Sequence, residues 1–420
     1  MKETGTPGAA VAVIKDGRVI FAKGFGVASI ETGGAVTSDM LFRLGSTTKM
    51  FTGTAMVTLA EKGRLKLNEP ISTYAKGLPP KVPQVTPHQL ISNTAGVGDF
   101  SAPPPLHDDS ALAAMVHSWK DDVLFGEPGK IYSYSSPGFW LAGYVIEETG
   151  GKPYADMMDE LIFKPIGMSR TTFRPLVAMT YPLAVGHAAG SDGKAAIIRP
   201  AYNNVAQWPA GSIFSSVNDL SRFVTALLSN GSLEGTQVLS PALFKSLSGK
   251  HTLIPGERDG YYGYGLVNFE ERGVRMVMHG GFSRGYGSMI QMAPEQRFAV
   301  IVLTNKSGMT LSKTTGKAKE MFLPLKPAEA EKPKEKLPLT AADLAGFAGV
   351  YVNGPQTWEI LAKDGRLVLK DAGGEYQLTK TGAQRLSFGD TLENDIALVP
   401  GNDGKMQYIF TGLYSARRKP

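Results

Sequence analysis

The strongest constraint on the fold is a pair of strand patterns at each end of a long, mainly helical region. Residues 10–22 form two apolar runs around Asp16-Gly17, and Asp-Gly between such runs is a strong β-hairpin signal. Residues 287–292 and 298–304 form a second pair. One antiparallel sheet built from both arms of the chain fits this order, so we predict an α+β fold with flanking helices and a helical lobe. The cleft between sheet and lobe is the expected site. Helical patterns lie at 47–61, 87–93, 138–148, 154–162 and 217–228.

The composition changes sharply after this region. Residues 324–339 are rich in Lys, Glu and Pro, have little to bury, and predict an extended linker. Short alternating runs with Gly-containing turns follow over 340–420 and predict a small all-β barrel. The expected organisation is therefore a first domain over 1–323, a charged linker and the barrel. Because few contacts are expected to cross a linker, the first domain should fold without the barrel, whose role is either binding, a lid or stabilisation.

Composition excludes several classes of protein. The 420 residues contain no cysteine, which removes disulfides, thiolate nucleophiles, thiolate zinc sites and iron–sulfur clusters. The net charge of +6 is mild and the basic residues are not clustered, which argues against nucleic-acid binding. No run approaches the ~18 apolar residues of a membrane span, and no signal peptide is visible. H-E-x-x-H and phosphate-loop motifs are absent, so we expect no metal and no cofactor.

Ser46 is the leading nucleophile candidate because Lys49 follows it at the start of a helical pattern. Residues three apart share a helix face, so the lysine amine can reach the serine hydroxyl. Free N–H groups at a helix N-terminus favour a developing oxyanion. Residues 50–57 are apolar or small on every side, which indicates a buried helix whose lysine is partly desolvated, with a lowered pKa. Spacing alone also fits a helix-capping serine with a solvated lysine.

Two other serines match hydrolase motifs but lack the structure that those motifs need. Ser191 begins a second S-x-x-K, but Asp192-Gly193 predicts a surface turn. Ser283 is the centre of a G-x-S-x-G pentapeptide, whose elbow requires a following helix and a later histidine. The sequence after Ser283 is strand-like and contains no histidine. We predict that neither serine is the nucleophile.

Two further stretches complete a family resemblance. Tyr134 begins Tyr-Ser-Ser before a helical pattern, and His279-Gly280-Gly281-Phe282 follows a strand pattern at 274–278. The chain resembles the serine β-lactamase and penicillin-binding-protein superfamily, above all the class C β-lactamase-like group with its D-peptidases and carboxylesterases. The resemblance implies a β-lactamase/transpeptidase-like domain and a periplasmic or secreted location. The barrel predicted after this domain is expected to be lipocalin-like. The framing phrases, within roughly residues 7–304, are 41–45, 86–96, 162–168, 209–212 and 262–265.

The resemblance also implies catalytic roles. Ser46 attacks the substrate, Lys49 eases its deprotonation, and Tyr134 passes the proton to the leaving group. The tyrosine contributes only if a nearby cation, for which Lys49 is the obvious choice, favours its phenolate over a phenol that titrates near ~10.

Four more residues are expected at the substrate. The backbone N–H groups of Ser46 and Phe282 would form the oxyanion hole, next to Gly281. His279 stands where the family has the lysine of K-T-G, and it is expected to polarise the site and orient the substrate. Ser136 replaces the asparagine of Y-x-N. Its shorter hydroxyl should hold a substrate amide less well, which favours esters.

The predicted function is a carboxylesterase that acts on small acyl esters through an acyl-enzyme. β-Lactamase activity and D-aminopeptidase or DD-peptidase activity are the alternatives in the same site, so the expected partner is a small ester, a β-lactam or a short peptide. The alternative from another class is a catalytically silent binding or sensor protein, against which the intact Ser46, Lys49 and Tyr134 argue. A homo-oligomer is left open.

Overall fold

A computed structural model describes residues 1–102, 104, 106–256, 260–329 and 333–420. The first hairpin forms where the sequence predicts it, between β1 (Gly8–Lys15) and β2 (Arg18–Gly26). Asp16 and Gly17 have φ values of 53° and 75°, and a two-residue turn of this kind needs positive φ at both positions. The local signal therefore determines the hairpin.

Six more strands join β1 and β2 in the main sheet. They are β3 (Thr252–Leu253), β4 (Tyr261–Tyr262), β5 (Val267–Glu271), β6 (Val274–Ser283), β7 (Tyr286–Ala293) and β8 (Phe298–Thr304). The eight antiparallel strands lie in the order β2-β1-β8-β7-β6-β5-β4-β3. β1 pairs with β8, so Val13 lies opposite Val300 and the two arms of the chain meet in the sheet. β6 was predicted to end before His279; it continues to Ser283 because this segment pairs with β7.

Both faces of the sheet are covered. Ala10, Ala12 and Ile14 of β1 pack into the large core that holds the helical lobe. The alternate residues face a second, smaller core beneath the last helix of the domain, as the two-residue period of a strand requires. The α-helices of the first domain are α1 (Thr48–Glu61), α2 (Pro87–Ile91), α3 (Ala111–His117), α4 (Ser136–Gly150), α5 (Tyr154–Met158), α6 (Lys164–Ile166), α7 (Pro175–Ala178), α8 (Trp208–Gly211), α9 (Val217–Leu228), α10 (Leu243–Leu247) and α11 (Ser312–Phe322).

Shorter elements complete the first domain. A π-helix (Asp159–Phe163) joins α5 to α6, where the sequence predicts one continuous helix. The short strand pairs are Phe42–Arg43 with Phe214–Ser215, His187–Ala189 with Ala195–Ile197, and Ser232–Leu233 with Thr236–Gln237. The 3₁₀ turns are Gly45–Thr47, Ile71–Thr73, Val82–Gln84, Asp121–Val123, Val205–Gln207 and Pro294–Gln296.

The C-terminal region forms the predicted barrel. Of the proposed linker 324–339, residues 330–332 lie outside the described part, and the described residues form no helix or strand. One short helix, α12 (Ala341–Phe347), precedes eight antiparallel strands that close on themselves. The α+β fold with a C-terminal barrel is thus confirmed. The barrel strands are Gly349–Asn353, Gln356–Lys363, Arg366–Asp371, Gly374–Gly382, Arg385–Phe388, Asn394–Pro400, Met406–Phe410 and Ser415–Arg418.

The barrel packs against the first domain, so the expectation of few contacts across the linker is wrong. Phe410 of the barrel lies in an apolar cluster with Tyr132 and Tyr262 of the first domain. Tyr408 lies in a second cluster with Phe125 and Ile131. Apolar side chains shared in this way are removed from water only while the two parts stay together. The bounds 1–323, 324–339 and 340–420 remain a prediction, but the barrel is not a separate appendage.

Candidate active site

Ser46 lies in the 3₁₀ turn that leads into α1, directly against β6. Gly45 has φ of 57°, in the region that favours glycine. A Cβ on Gly45 would collide with the Phe282 backbone, and one on Gly281 would overlap the Leu44 carbonyl oxygen. The two glycines therefore let the serine turn and β6 approach each other closely.

Lys49 is completely buried on α1, one turn after Ser46. Its Nζ lies 3.3 Å from both Ser46 Oγ and Ser136 Oγ, and it donates to the Ala210 carbonyl at 3.0 Å. Burial lowers the Lys49 pKa to about 7, although the nearby Asp99 carboxylate opposes the shift. The lysine is thus not the solvated residue that spacing alone allowed.

Tyr134 stands on the other side of the serine. Its hydroxyl is hydrogen-bonded to the Ser46 side chain, and the Lys49 ammonium lies 4.6 Å from the centre of its ring. Burial raises the Tyr134 pKa well above its usual value, and Asp99 raises it further, while the Ser46 bond lowers it. The residue is therefore a neutral phenol near neutral pH, and the lysine does not hold it as a phenolate.

His279 faces the same space from β6. Its Nδ1 lies 2.6 Å from the Gly280 carbonyl oxygen and its Nε2 lies 3.3 Å from the Tyr262 hydroxyl. Because a carbonyl only accepts, Nδ1 carries the proton and Nε2 accepts from the tyrosine. Burial first, and the Lys49 charge second, lower the His279 pKa to about 3. The imidazole is therefore neutral, unlike the lysine whose place it takes.

Ser136 begins α4, and its backbone N–H donates to Asp99 Oδ1 at 3.0 Å. Asp99 is in turn hydrogen-bonded by the Tyr414 side chain of the barrel, and burial raises its pKa. The Tyr134 N–H donates to the Leu413 carbonyl at 3.1 Å. The loop between the last two barrel strands therefore forms part of the wall behind the site.

A cavity of about 440 Å³ opens beside this group and is lined by Ser46, Ser136 and Phe282. The Phe282 ring is 70% exposed at the mouth of the cavity. Ser283 lines the same cavity, but it lies in the β6–β7 hairpin and not in a strand–helix elbow. Ser191 lies in an exposed turn between two short strands, with no helix to align it with Lys194.

All the predicted site residues converge, but several of their partners were not predicted from the sequence. Tyr262 and Ala210 belong to the framing phrases 262–265 and 209–212, and Asp99 closely follows the phrase 86–96. Leu413 and Tyr414 had no signal, since they lie in a barrel turn far along the chain. Within the described ranges, no three His, Asp or Glu side chains are grouped to hold a metal ion. No helix of the described chain is long and apolar enough to cross a bilayer.

Comparison with known proteins identifies the class. The family model described as Beta-lactamase matches residues 1–320, so the chain belongs to the β-lactamase family. Membership supports serine-hydrolase chemistry in general. Penicillin-binding protein 4 of Amycolatopsis lactamdurans is 29% identical over 362 residues, which cover 82% of this chain and 93% of that protein. Protein flp of Staphylococcus aureus is 24% identical over 71% of this chain, which spans only 59% of the length of flp.

Solved structures share the whole architecture. The crystal structure of SurE aligns with a TM-score of 0.81 at 23% identity, covering 100% of this chain and 96% of that one. SurE solved with D-Leu gives 0.79, with the same identity and the same coverage of both chains. The octameric penicillin-binding protein homologue from Pyrococcus abyssi gives 0.67 at 23% identity, covering 99% of this chain and 97% of that one. At these identities the likeness is one of fold.

Proposed function

We propose that this protein is a serine hydrolase that forms an acyl-enzyme on Ser46 and acts on small carboxylic esters. One observation carries the proposal: Lys49 Nζ lies 3.3 Å from Ser46 Oγ, and burial lowers the Lys49 pKa to about 7. A group with a pKa near the working pH is the most effective general base. Lys49 can therefore accept the serine proton without first losing one of its own.

The hydrogen bonds of Lys49 support this assignment. A neutral amine has two N–H donors and one lone pair. The Ala210 carbonyl and the Ser136 hydroxyl lie at 3.0 and 3.3 Å and can take the two donors. The lone pair is then left for the Ser46 proton.

The reaction follows from these contacts. The Ser46 proton moves to Lys49 Nζ while Oγ bonds to the ester carbonyl carbon. The N–H groups of Ser46 and Phe282 hold the negative oxygen, and losing one such donor typically costs ~10²–10³ in rate. The bond to the leaving oxygen then breaks, and that oxygen takes its proton through the Tyr134 hydroxyl, which is replenished from Lys49. Water then attacks the acyl carbon and gives a proton to Lys49. The bond from that carbon to Ser46 Oγ breaks, and Lys49 returns the proton to Oγ as the acid leaves.

Two features favour esters over amides. The Ser136 hydroxyl is committed to Lys49, so it is poorly placed to orient a substrate amide. Burial raises the Tyr134 pKa, which makes the phenol a weak acid. An amine leaving group must be protonated as it departs, whereas the oxygen of an activated ester can leave without full proton transfer.

A D-amino acid substrate is the second candidate. SurE, whose fold covers the whole of this chain, has been solved with D-Leu. A D-leucyl substrate is therefore the best single probe of the D-aminopeptidase alternative.

The test combines labelling with a substrate panel. A fluorophosphonate should form one adduct on the wild-type enzyme, located on Ser46 by peptide mass spectrometry, and none on Ser46→Ala. Ser191→Ala is the matched control, because it removes the serine of the other S-x-x-K, and it should label normally. 4-Nitrophenyl butyrate should be turned over with kcat/KM at least about tenfold above that of a chromogenic cephalosporin and of D-Leu 4-nitroanilide.

Each other outcome has a distinct meaning. Turnover above background by Ser46→Ala would exclude Ser46 as the nucleophile. Preference for the cephalosporin or the D-Leu anilide would keep the acyl-enzyme and exclude the ester assignment. The absence of both labelling and turnover would support the alternative of a catalytically silent binding protein. Lys49→Arg should be almost as inactive as Lys49→Ala, since a guanidinium stays protonated.

A further inference from the structure

Arg43 is a buried cation next to Ser46, and no carboxylate among the described residues balances its charge. Arg43 is 5% exposed, and it forms no ion pair within the described part of the chain. The ionisable groups that act on its pKa are the phenols of Tyr286 and Tyr202, and burial lowers that pKa. A guanidinium stays charged in proteins, and an unpaired buried charge is strongly destabilising. This arrangement therefore favours the binding of an anion.

Only some of the N–H donors of the Arg43 guanidinium form hydrogen bonds with described residues. One terminal nitrogen donates to the Tyr202 carbonyl, and the other donates to Ser212 Oγ at 3.3 Å. The guanidinium lies over the Phe214 ring, with 5.2 Å between its central carbon and the ring centre. The Nε atom is buried and has no hydrogen-bond partner. Five N–H donors are available on an arginine, so the fork keeps donors for a bidentate carboxylate.

Arg43 borders two cavities at the candidate active site. Arg43 lines the cavity of about 440 Å³ that contains Ser46. It also lines an adjoining cavity of about 310 Å³ with apolar walls that include Met179, Leu183 and Phe214. Arg284 lines both cavities, is exposed, and forms no ion pair with any described residue. No Asp or Glu is among the described residues that line either cavity.

The other basic groups of the site do not supply this charge. His279 has a pKa of about 3 and is neutral, and Lys49 loses its charge near pH 7. Among the described residues that line the cavity of Ser46, only Arg43 and Arg284 are permanent cations. Electrostatic selection for an anionic substrate therefore rests on these two arginines.

We infer that Arg43 and Arg284 form an anion subsite, and that the substrate is an ester carrying a carboxylate next to an apolar group. The inference rests on the proposed function, since it names the substrate class of the Ser46 site. The carboxylate pairs with the free donors of Arg43, Arg284 adds attraction at the rim, and the apolar part lies against the walls of the adjoining cavity. The carboxylate can belong to the acyl group or to the leaving group.

Three chromogenic esters separate these sources. 4-Nitrophenyl butyrate is neutral, mono-4-nitrophenyl glutarate carries a carboxylate on the acyl side, and 3-carboxy-4-nitrophenyl butyrate carries it on the leaving group. At low salt, kcat/KM for at least one of the two charged esters should exceed kcat/KM for the neutral 4-nitrophenyl butyrate by about tenfold or more. The readout is this ratio, because it cancels a general loss of active enzyme.

The variants are Arg43→Met, Arg284→Gln and, as a matched control, Arg366→Gln, an exposed barrel arginine. Arg43→Met should abolish the preference. Arg284→Gln should reduce it about threefold, and added salt should reduce the rim contribution. Arg366→Gln should keep the wild-type ratio. If Arg43→Met does not fold, the Arg284→Gln ratio and its salt dependence carry the test.

The failures are distinguishable. Turnover of the neutral ester without preference for either charged ester would overturn the anion subsite and leave the hydrolase proposal intact. A preference that persists in both arginine variants would do the same. Absence of turnover on all three esters, together with absence of fluorophosphonate labelling, would overturn the hydrolase proposal itself.

Discussion

Replacing Lys49 with methionine should stabilise the protein, and the gain should depend on pH. The folded state lowers the Lys49 pKa from 10.5 to about 7, so between these values it binds fewer protons than the unfolded chain. Stability contributed by this group therefore rises with pH over that window, and the penalty is largest below it. Linkage gives a penalty of ~5 kcal/mol near about pH 6 and ~1 kcal/mol near about pH 9.5.

The variant removes this penalty but also loses contacts. Lys49→Met leaves the buried Ala210 carbonyl without its donor, which costs ~1–3 kcal/mol at every pH. The net effect should be a gain of ~2–4 kcal/mol near about pH 6 that shrinks by ~3–4 kcal/mol on going to about pH 9.5.

Urea unfolding of both proteins at the two pH values, followed by tryptophan fluorescence, measures the difference in unfolding free energy between the variant and the wild type and its change with pH. Lys194→Met is the control, because its ammonium is 86% exposed and its removal should leave the pH dependence unchanged. A Lys49→Met protein that is less stable than the wild type by the same amount at both pH values would refute the depressed pKa. The assignment of Lys49 as a neutral base would then lose its physical basis.

Three further predictions follow from the same geometry. Below about pH 7, kcat/KM for a neutral ester should fall about tenfold per pH unit as Lys49 gains its proton, and a flat profile between about pH 5 and about pH 8 would exclude it as the titrating base. Gly281→Ala should lower kcat by ~10² or more in active-site-titrated enzyme, because the added Cβ would overlap the Leu44 carbonyl oxygen. The control Gly316→Ala should leave kcat unchanged, because a Cβ at Gly316 meets open space. Phe410→Ala should destabilise the protein by ~3–5 kcal/mol in urea and lower activity with it, whereas a barrel that unfolds alone and leaves activity intact would contradict the docking.

The parts of the site that the sequence predicts are those that local rules govern. Ser46 and Lys49 are three residues apart at the start of α1, and helix periodicity alone brings them together. The Asp16-Gly17 turn determines the first hairpin in the same way. His279, Phe282 and Tyr134 were found through motif resemblance, which carries information about distant contacts that spacing lacks.

The remaining features depend on contacts that no local pattern encodes. The sequence did not indicate that the phenol of Tyr134 would be neutral, because its pKa depends on burial and on Asp99. It also predicted a loosely attached barrel, since the linker is polar and the apolar faces of short barrel strands look the same whether they face inward or a neighbour. Phe410 and Tyr408 lie at this interface.

The contacts between the barrel and the wall of the site also govern the order of folding. Ser133, next to Tyr134, accepts a hydrogen bond from the N–H of Ser415, a residue 282 positions away in the chain. Closing so long a loop is slow compared with forming helices and local hairpins. A refolding chain should therefore recover its helices and sheet before it recovers activity. During synthesis, α1 with its serine and lysine emerges long before the barrel turn, so the nascent enzyme should stay inactive until the barrel has closed.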